Sequence, residues 1–349
     1  MNSKRFIKLS LSLTLILLIL VASVQIAIDP LFQYHKPLFG LKPFIQNERY
    51  QDAGMAKTFD YDNVIMGTSM SQNFRINEYE ELFGGKTVKL TMEGSHPLDW
   101  TYVLNDLCRR EIHPKTILLN LDPFVFRADT NRLAHELPIY LYDHNYLNDV
   151  NYLLNSQIIN DFAIDTVIGN INHSLPDENE AFVWAGYKEI GAEYVLSQYK
   201  RPNVTAVQID SELYANDAMD NMKLLSPYIA SMPETEFVFF CSPFSMLFWD
   251  ECTRENSIEA QKQGYISSIS ELINHNNVSV YLWNDEVMFS IMSDLDNYAD
   301  ITHYSEKVNS LILQRMAKHQ GLLTKDNFVF EVDKLFEYIN SFNYNELFV

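Results

Sequence analysis

A serine and an aspartate–histidine pair are the residues of this 349-residue sequence whose types and spacing point most clearly to chemistry. Ser69 stands in the tripeptide Gly67-Thr68-Ser69, and Asp300 precedes His303 by three residues. A serine hydroxyl becomes a nucleophile when a histidine takes its proton and a carboxylate orients that histidine. The pattern therefore predicts nucleophilic attack by Ser69, with His303 as the base and Asp300 as the orienting acid.

The three side chains can meet only if the fold brings them together, and the fold is indicated by short apolar runs separated by helical segments. The runs predict five strands, at Asn63–Met66, Thr87–Thr91, Thr116–Leu121, Glu236–Cys241 and Val278–Trp283. Intervening segments predict helices, at Phe74–Phe83, at Pro97–Arg110 and in a last helix that begins after Ser305 and ends before Gly321. This alternation is typical of an α/β fold with a doubly wound, mostly parallel five-stranded sheet.

Polar residues follow these strands, at the edge where ligands bind in doubly wound sheets. Ser69 follows the first strand, Gly94 the second and Asp122 the third, while Asp300 and His303 follow the fifth. We expect the residues after parallel strands to lie at one edge of the sheet. The backbone N–H groups of Ser69 and Gly94 are then candidates for stabilising a developing oxyanion.

The first 28 residues predict a membrane anchor. Lys4, Arg5 and Lys8 precede Leu9–Ile28, which carries no charge, and twenty helical residues span about 30 Å, the thickness of a hydrocarbon core. The positive-inside rule places residues 1–8 in the cytoplasm, residues 9–28 in the membrane and the remainder outside the cell. A cleaved signal peptide is the alternative, because Val21-Ala22-Ser23 provides weak cleavage context.

Charge and cysteine content exclude several functions. Lys and Arg number 26 against 46 Asp and Glu, which gives a net charge of −20, or −23 once the three N-terminal bases are set aside. A surface of this charge does not suit nucleic acid. Three cysteines without zinc-ligand spacing predict neither a disulfide framework nor a metal site, and no cofactor motif is present.

The distance between the third and fourth strands predicts an inserted, mostly helical subdomain at about 127–233. More than 110 residues separate the two strands, which is too many for one crossover helix. Residues 29–60, rich in proline and aromatic residues, are interpreted as a juxtamembrane arm that packs onto the α/β domain at 61–349.

Three of these segments resemble, in order, the conserved blocks of the SGNH (GDSL-like) hydrolase superfamily. Gly67-Thr68-Ser69 is similar to the first block, Gly94 to the second-block glycine and Asp300-Ile301-Thr302-His303 to the last block. The resemblance covers about residues 60–125 and 235–320. It implies a flavodoxin-like sheet with Ser69, Asp300 and His303 as the catalytic triad.

Within this superfamily, the stretches at 67–74 and 297–304 look most similar to membrane-anchored bacterial proteins of cell-surface polysaccharide O-acylation. Those include the proteins of teichoic-acid D-alanyl transfer and of alginate and peptidoglycan O-acetylation. The resemblance implies acyl transfer to or from a polysaccharide in the cell envelope, through an acyl-serine intermediate. It also implies a multi-pass membrane O-acyltransferase as partner.

The sequence departs from the superfamily pattern at the oxyanion donors. Thr68 stands where the family often has aspartate, and the third block, whose asparagine donates to the oxyanion, is not recognisable. Asn120, in Leu119-Asn120-Leu121-Asp122, and Asn73 are the remaining side-chain candidates. A plain carbohydrate esterase and a non-catalytic glycan-binding or assembly factor on the same scaffold therefore stay open as alternatives. A metal-dependent phosphoesterase lacks a supporting ligand pattern.

Overall fold

A five-stranded sheet forms the centre of the computed structural model, which describes residues 3–348. The strands are β1 (Asn63–Gly67), β2 (Thr87–Thr91), β3 (Thr116–Leu121), β4 (Glu236–Cys241) and β5 (Val278–Tyr281). Their order is β2-β1-β3-β4-β5, and every neighbouring pair is parallel. This confirms the predicted α/β class and its five-stranded sheet, because apolar runs buried on both faces form parallel strands.

The strand order creates a crevice where the chain reverses its direction across the sheet. The chain leaves β1 for β2 on one side and then crosses to β3 on the other side. Crossovers between parallel strands are right-handed, so the connections on the two sides of β1 lie on opposite faces of the sheet. The carboxyl ends of β1 and β3 therefore flank the switch point, where ligands bind in open α/β sheets.

Sixteen α-helices occur between residues 3 and 348. They are α1 (Ser3–Ile28), α2 (Glu48–Thr58), α3 (Ser69–Gln72), α4 (Ile76–Phe83), α5 (Pro97–Cys108), α6 (Val150–Leu153), α7 (Ser156–Ile158), α8 (Asp165–Asn172), α9 (Ala192–Gln198), α10 (Ser211–Lys223), α11 (Ser226–Ser231), α12 (Met246–Arg254), α13 (Ile258–Leu272), α14 (Glu286–Ser293), α15 (Glu306–Met316) and α16 (Phe328–Ser341). A π-helix spans Ile159–Ile164, and short 3₁₀ segments lie at Pro123–Arg127, Ile139–Leu141, Glu178–Glu180, Leu295–Asn297 and Tyr344–Phe348.

The helices around the sheet form two groups. Helix α4 packs against α15, whereas α5 packs against α10 and α11, and α13 packs against α10 and α16. The second group encloses an aromatic core in which Trp249 meets Tyr265 and Phe336 edge to face or tilted. Large buried aromatic side chains contribute strongly to the stability of such a core.

Helix boundaries differ from the predictions mainly near the C-terminus. The helix predicted to be last forms as α15 after Ser305, but α16 follows it and α14 precedes it. The prediction of a last helix was therefore wrong. Helix α16 buries Val332, Leu335, Phe336 and Ile339, an i, i+3, i+4, i+7 stripe that is visible in the sequence.

Helix α1 is the one helix between residues 3 and 348 that is long and apolar enough to cross a membrane. Its mean hydropathy reaches 2.6, and almost all of its side chains are exposed. The predicted span at residues 9–28 lies within it. Length and composition of this kind also fit a signal sequence.

The chain forms two compact units. One contains residues 3–59 and 137–181, and the other contains residues 60–136 and 182–348, including the whole sheet. The segment predicted as an arm, 29–60, belongs to the first unit up to Phe59. The segment predicted as an insertion, 127–233, is divided, because only residues 137–181 cluster with the N-terminal segment.

In the first unit, a buried aspartate fixes the end of α1. Asp29 follows the helix directly and accepts hydrogen bonds from the backbone N–H groups of Tyr34 and His35 and from the hydroxyl of Tyr152. Burial raises the pKa of Asp29, although these hydrogen bonds oppose the rise. The carboxylate therefore joins the segment after α1 to helix α6.

Candidate active site

The turn after β1 presents Ser69 at the carboxyl edge of the sheet. Gly67 ends the strand with φ +114°, and Thr68 caps α3 by accepting a hydrogen bond from the Met70 N–H. A Cβ atom at position 67 would lie 2.0 Å from Asn120 Oδ1, so only glycine fits there. This close approach places Ser69 at the first position of α3, where its own N–H has no intrahelical acceptor.

Ser69, His303 and Asp300 form a continuous chain of hydrogen bonds. Ser69 Oγ lies 2.8 Å from His303 Nε2, and His303 Nδ1 lies 2.7 Å from Asp300 Oδ2. The carboxylate accepts a hydrogen bond from the N–H at Nδ1, which leaves Nε2 as the acceptor for the serine hydroxyl. The three residues predicted from the sequence therefore meet with the geometry that nucleophilic catalysis by serine requires.

Asp300 is held as an anion beside the imidazole. Burial alone would raise its pKa, but hydrogen bonds from the His303 ring and from the backbone of Thr302 and His303 outweigh that effect and lower the pKa. Its Oδ1 accepts from the N–H groups of Thr302, at 2.9 Å, and His303, at 2.8 Å. An ionised Asp300 can stabilise the imidazolium that forms when His303 takes a proton.

Backbone hydrogen bonds hold the loop that carries the acid and the base. The Ala299 N–H donates to the His303 carbonyl at 2.8 Å, inside a bridge between Tyr298 and Tyr304. The Ile301 carbonyl accepts from both the N–H and the hydroxyl of Ser245, which follows β4. The loop is thereby fixed to the end of the neighbouring strand, which orients the imidazole toward Ser69.

A buried polar network supports the turn Gly67-Thr68-Ser69, which we call the nucleophile turn. Asn120 Oδ1 accepts from the Thr68 N–H at 2.8 Å and from the Ser71 hydroxyl at 2.9 Å. The Thr68 hydroxyl donates to Asp122 Oδ2 at 2.9 Å. Burial raises the pKa of Asp122 to about 6, even though hydrogen bonds from Thr68 and Asn120 oppose the rise. Ser71, the rival nucleophile, is fully buried in this network.

The role of Asn120 as an oxyanion donor stays a prediction, and the structure shows which groups its amide contacts. Its Nδ2 donates to the Thr68 hydroxyl at 3.0 Å and to the Asp122 carboxylate, and the side chain is fully buried. Residues two apart on an extended chain point to the same face, so the Asn120 amide meets the Asp122 carboxylate. Both ends of the amide are used to hold the turn, and none of its N–H groups is directed to Ser69 Oγ.

The other oxyanion candidates stand in different environments. Gly94 lies in the exposed turn after β2 with φ +61°, where a Cβ atom would approach His135. Asn73 ends α3, and its Oδ1 accepts from the N–H groups of Trp184 and Ala185, both at 3.1 Å. That arrangement fixes the orientation of the amide and leaves its buried Nδ2 without a hydrogen-bond partner. The roles of Gly94, Asn73 and the Ser69 N–H stay predictions.

Trp184 and Lys188 belong to the site and were not anticipated from the sequence. The Trp184 indole N–H donates to the Ser69 carbonyl at 3.0 Å, and its ring meets the His303 ring edge to face at 5.2 Å. Lys188 Nζ lies 4.7 Å from the Trp184 ring centre and 4.0 Å from Asp300 Oδ2. No local motif marks these residues, because long-range contacts alone bring this segment to the triad.

The donor set at this site suits covalent chemistry by serine. Among residues 3–348, no group of three or more His, Cys, Asp or Glu side chains is arranged to hold a metal ion. The hydrogen-bonded chain of Ser69, His303 and Asp300 can activate a nucleophile and return its proton.

Comparisons with known proteins show remote structural likeness. No protein-family model matches the sequence, and no curated protein matches it. Among solved structures, a carbohydrate esterase family 2 enzyme with a carbohydrate binding domain, from Corynascus thermopiles (Myceliophthora fergusii), aligns with 12% identity and a TM-score of 0.36. The alignment covers 74% of this chain and 64% of that one, so this chain spans less than two thirds of the enzyme. The functional argument therefore rests on the geometry of Ser69, His303 and Asp300.

Proposed function

We propose that this protein is a serine-dependent enzyme that transfers an acyl group to or from cell-surface polysaccharide. One observation carries the proposal, namely the chain of hydrogen bonds from Ser69 Oγ through the His303 ring to Asp300, with distances of 2.8 and 2.7 Å. A serine within reach of an oriented histidine is the requirement for forming an acyl-serine. A serine and histidine out of hydrogen-bond reach would support the non-catalytic alternative, whereas a separation of 2.8 Å favours an enzyme.

In the first half of the proposed reaction, His303 Nε2 takes the hydroxyl proton as Ser69 Oγ attacks the carbonyl carbon of an acyl ester. The tetrahedral oxyanion is stabilised by N–H donors, for which Ser69 N–H, Gly94 N–H and Asn73 Nδ2 are the candidates. The ester bond then breaks, and the leaving alcohol oxygen takes the proton from His303. Asp300 stabilises the imidazolium between these two steps.

In the second half, an incoming hydroxyl attacks the acyl-Ser69 carbonyl and gives its proton to His303. The Ser69 oxygen leaves and recovers that proton, which restores the starting state. A polysaccharide hydroxyl as acceptor makes the protein a transferase, and water makes it a carbohydrate esterase. Trp184 packs its ring edge against the imidazole, and we propose that this contact shields the acyl-serine from water.

The proposed location is the outer face of the cell membrane. Helix α1 carries Lys4, Arg5 and Lys8 at its first turns and no charge after them, which supports insertion with a cytoplasmic N-terminus. The proposed acyl acceptor or donor is a polysaccharide of the cell envelope. The proposed partner that delivers acyl groups across the membrane is a multi-pass O-acyltransferase, as the resemblance of the Ser69 and His303 segments implies.

Acyl loading of the purified full chain tests this proposal. With p-nitrophenyl acetate, we expect a burst of about one nitrophenol per chain followed by slower turnover. Ser69→Ala is expected to abolish the burst and lower turnover by a factor of about 1,000 or more. Soluble oligosaccharides with free hydroxyls should increase turnover and become acetylated if the protein is a transferase.

Two results would redirect the proposal. Equal acetyl labelling of the wild type and Ser69→Ala would remove Ser69 as nucleophile. Tight oligosaccharide binding in both proteins, with no acyl-serine in either, would favour the glycan-binding alternative.

A further inference from the structure

An apolar groove at the outer end of α1 is built from residues that the proposed reaction does not use. The groove has a volume of about 410 Å³ and lies between Leu20–Ile28 of α1 and the helical segment at 159–168. Nine of its ten lining residues are apolar. Both walls belong to the unit formed by residues 3–59 and 137–181.

The exception among the lining residues is a buried amide. Gln25 is 2% exposed, it is the one buried residue of α1, and its Nε2 has no hydrogen-bond partner. An unpaired amide in an apolar environment is unfavourable, so such groups are normally satisfied by a ligand or by water. An apolar ligand that carries a hydrogen-bond acceptor would cover the apolar lining of the groove and accept a hydrogen bond from the amide.

The position of the groove along α1 indicates what fills it. Leu20 to Ile28 is nine residues and spans about 12 Å along the helix axis, and it forms the end opposite the N-terminal bases. If α1 spans the membrane as proposed above, this stretch lies in the outer half of a hydrocarbon core about 30 Å thick. Gln25, one turn from the helix end, then lies near the depth at which lipid ester carbonyls begin.

The surface around the groove is continuous with the exposed apolar surface of α1. Val21, Val24 and Ile26 are exposed on α1, and Ile164 and Ile168 are exposed on the other wall. Single exposed apolar side chains are common, but a contiguous apolar surface at the end of a membrane-spanning helix suits hydrocarbon. Lipid is the occupant that already surrounds every other exposed side chain of such a helix.

We propose that this groove binds one acyl chain of an outer-leaflet diacyl glycerolipid, with the Gln25 amide donating to the lipid ester carbonyl. The proposal rests on the membrane location given under Proposed function, and it is independent of the chemistry at Ser69. It gives the helical segment at 159–168 a role in holding the first unit at the membrane surface.

Lipid retention by the full chain tests the proposal. Native mass spectrometry of the detergent-solubilised protein, titrated with dioleoyl phosphatidylglycerol, should show one tightly retained lipid per chain. Val24→Trp, at an exposed position that lines the groove, should weaken retention at least about tenfold. Ile26→Trp is the matched control, because Ile26 lies at the same depth, is exposed and does not line the groove, and it should retain lipid as the wild type does.

The role of Gln25 has its own comparison. The wild type should prefer the diacyl lipid over its dialkyl ether analogue, which lacks the ester carbonyls, by about fivefold, the typical effect of one hydrogen bond. Gln25→Leu should bind the two lipids equally. Equal binding of both lipids by the wild type would remove the hydrogen bond from the proposal.

The remaining outcomes distinguish failure of the lipid-binding proposal from failure of the proposed membrane location. Flotation of the full chain with phosphatidylglycerol vesicles tests the anchor, and failure to float would overturn both proposals. Normal flotation with equal lipid retention by the wild type, Val24→Trp and Ile26→Trp would overturn the groove alone. A dimer that Val24→Trp dissociates would identify the α1 helix of a second copy as the occupant and would also contradict the proposal.

Discussion

The two sides of the candidate active site are held in different ways. The nucleophile turn stands on buried polar side chains, since Thr68, Asn120 and Asp122 are at most 7% exposed. The segment from Tyr298 to Tyr304, the acid–base loop, carries Asp300 and His303, whose side chains are partly exposed, by 41% and 21%. Its shape comes from backbone hydrogen bonds, such as those that Ser245 donates to the Ile301 carbonyl.

Because of this difference, stability and activity should depend on different residues of the same site. The sheet determines the position of Ser69, because the buried polar network connects the ends of β1 and β3. Asp300 and His303 lie on a loop that buried neighbours such as Tyr298 and Tyr304 anchor, while their own side chains stay partly exposed. We therefore expect changes in the residues that support Ser69 to affect the free energy of unfolding, and changes in Asp300 or His303 to affect activity.

Asp300→Asn should give the largest effect on activity with little effect on folding. The Asn oxygen can still accept from the N–H groups of Thr302 and His303. Its amide, however, would donate to His303 Nδ1 and force the proton onto Nε2, where it blocks proton transfer from Ser69. The ester turnover rate should fall by a factor of about 1,000 to 10,000. A melting temperature lowered in parallel with the activity would contradict the separation between the two sides.

Gly67→Ala should give the largest effect on folding. The new Cβ atom would lie 2.0 Å from Asn120 Oδ1 on a backbone with φ +114°, so the buried network must move. We expect a loss of about 3 kcal/mol or more in the free energy of unfolding. Gly84→Ala is the matched control, because Gly84 also has positive φ, +75°, but faces open space, and it should cost only the backbone strain, about 1 to 2 kcal/mol. If chemical denaturation gives equal losses in the free energy of unfolding for the two variants, contact with the buried network does not explain the effect of Gly67→Ala.

Asp122→Asn should change how stability depends on pH. Because burial raises the pKa of Asp122 from its ordinary value of 3.8 to about 6, the folded chain binds the proton more tightly than the unfolded chain does. The wild type therefore gains stability as the pH falls from about 6 to 4 and loses it as the pH rises through that range. Between pH 4 and 7.5, the stability of Asp122→Asn relative to the wild type should increase by about 2 to 3 kcal/mol. Parallel stability curves for the two proteins would show that Asp122 does not titrate in this range.

Trp184→Phe should give the smallest effect. Phenylalanine keeps a ring beside His303 but loses the indole N–H that donates to the Ser69 carbonyl at 3.0 Å. Loss of one hydrogen bond of this kind should lower turnover by about fivefold. The burst kinetics of acyl loading measure this directly, and an unchanged acylation rate would show that the nucleophile turn does not depend on the contact.

The sheet was predictable because its strands are short, apolar and separated by clear helical segments. All five observed strands start at the predicted residues, and only the ends of β1 and β5 differ. The grouping of Ser69, Asp300 and His303 followed from the rule that parallel strands end at one edge. The direction of Asn120 did not follow, because it depends on its hydrogen bonds to Thr68 and Asp122 rather than on strand position.

The residues that sequence reasoning missed lie in segments placed by distant contacts. Trp184 reaches the triad because its backbone N–H donates to Asn73, more than 100 residues earlier in the chain. Further along the segment, the Gly191 N–H donates to the Tyr298 carbonyl at 3.0 Å. Pairings between residues so far apart leave no periodicity or spacing in the local sequence.

Covalent labelling of Ser69 tests the central claim most directly, and Ser71 offers a matched control two residues away. Ser71 is fully buried and donates to Asn120, whereas Ser69 lies beside His303. A fluorophosphonate reacts with a serine that an adjacent base activates. Intact mass measurement should show one adduct per chain in the wild type and in Ser71→Ala, and none in Ser69→Ala. An adduct that persists in Ser69→Ala, or its loss in a folded Ser71→Ala protein, would contradict Ser69 as the nucleophile.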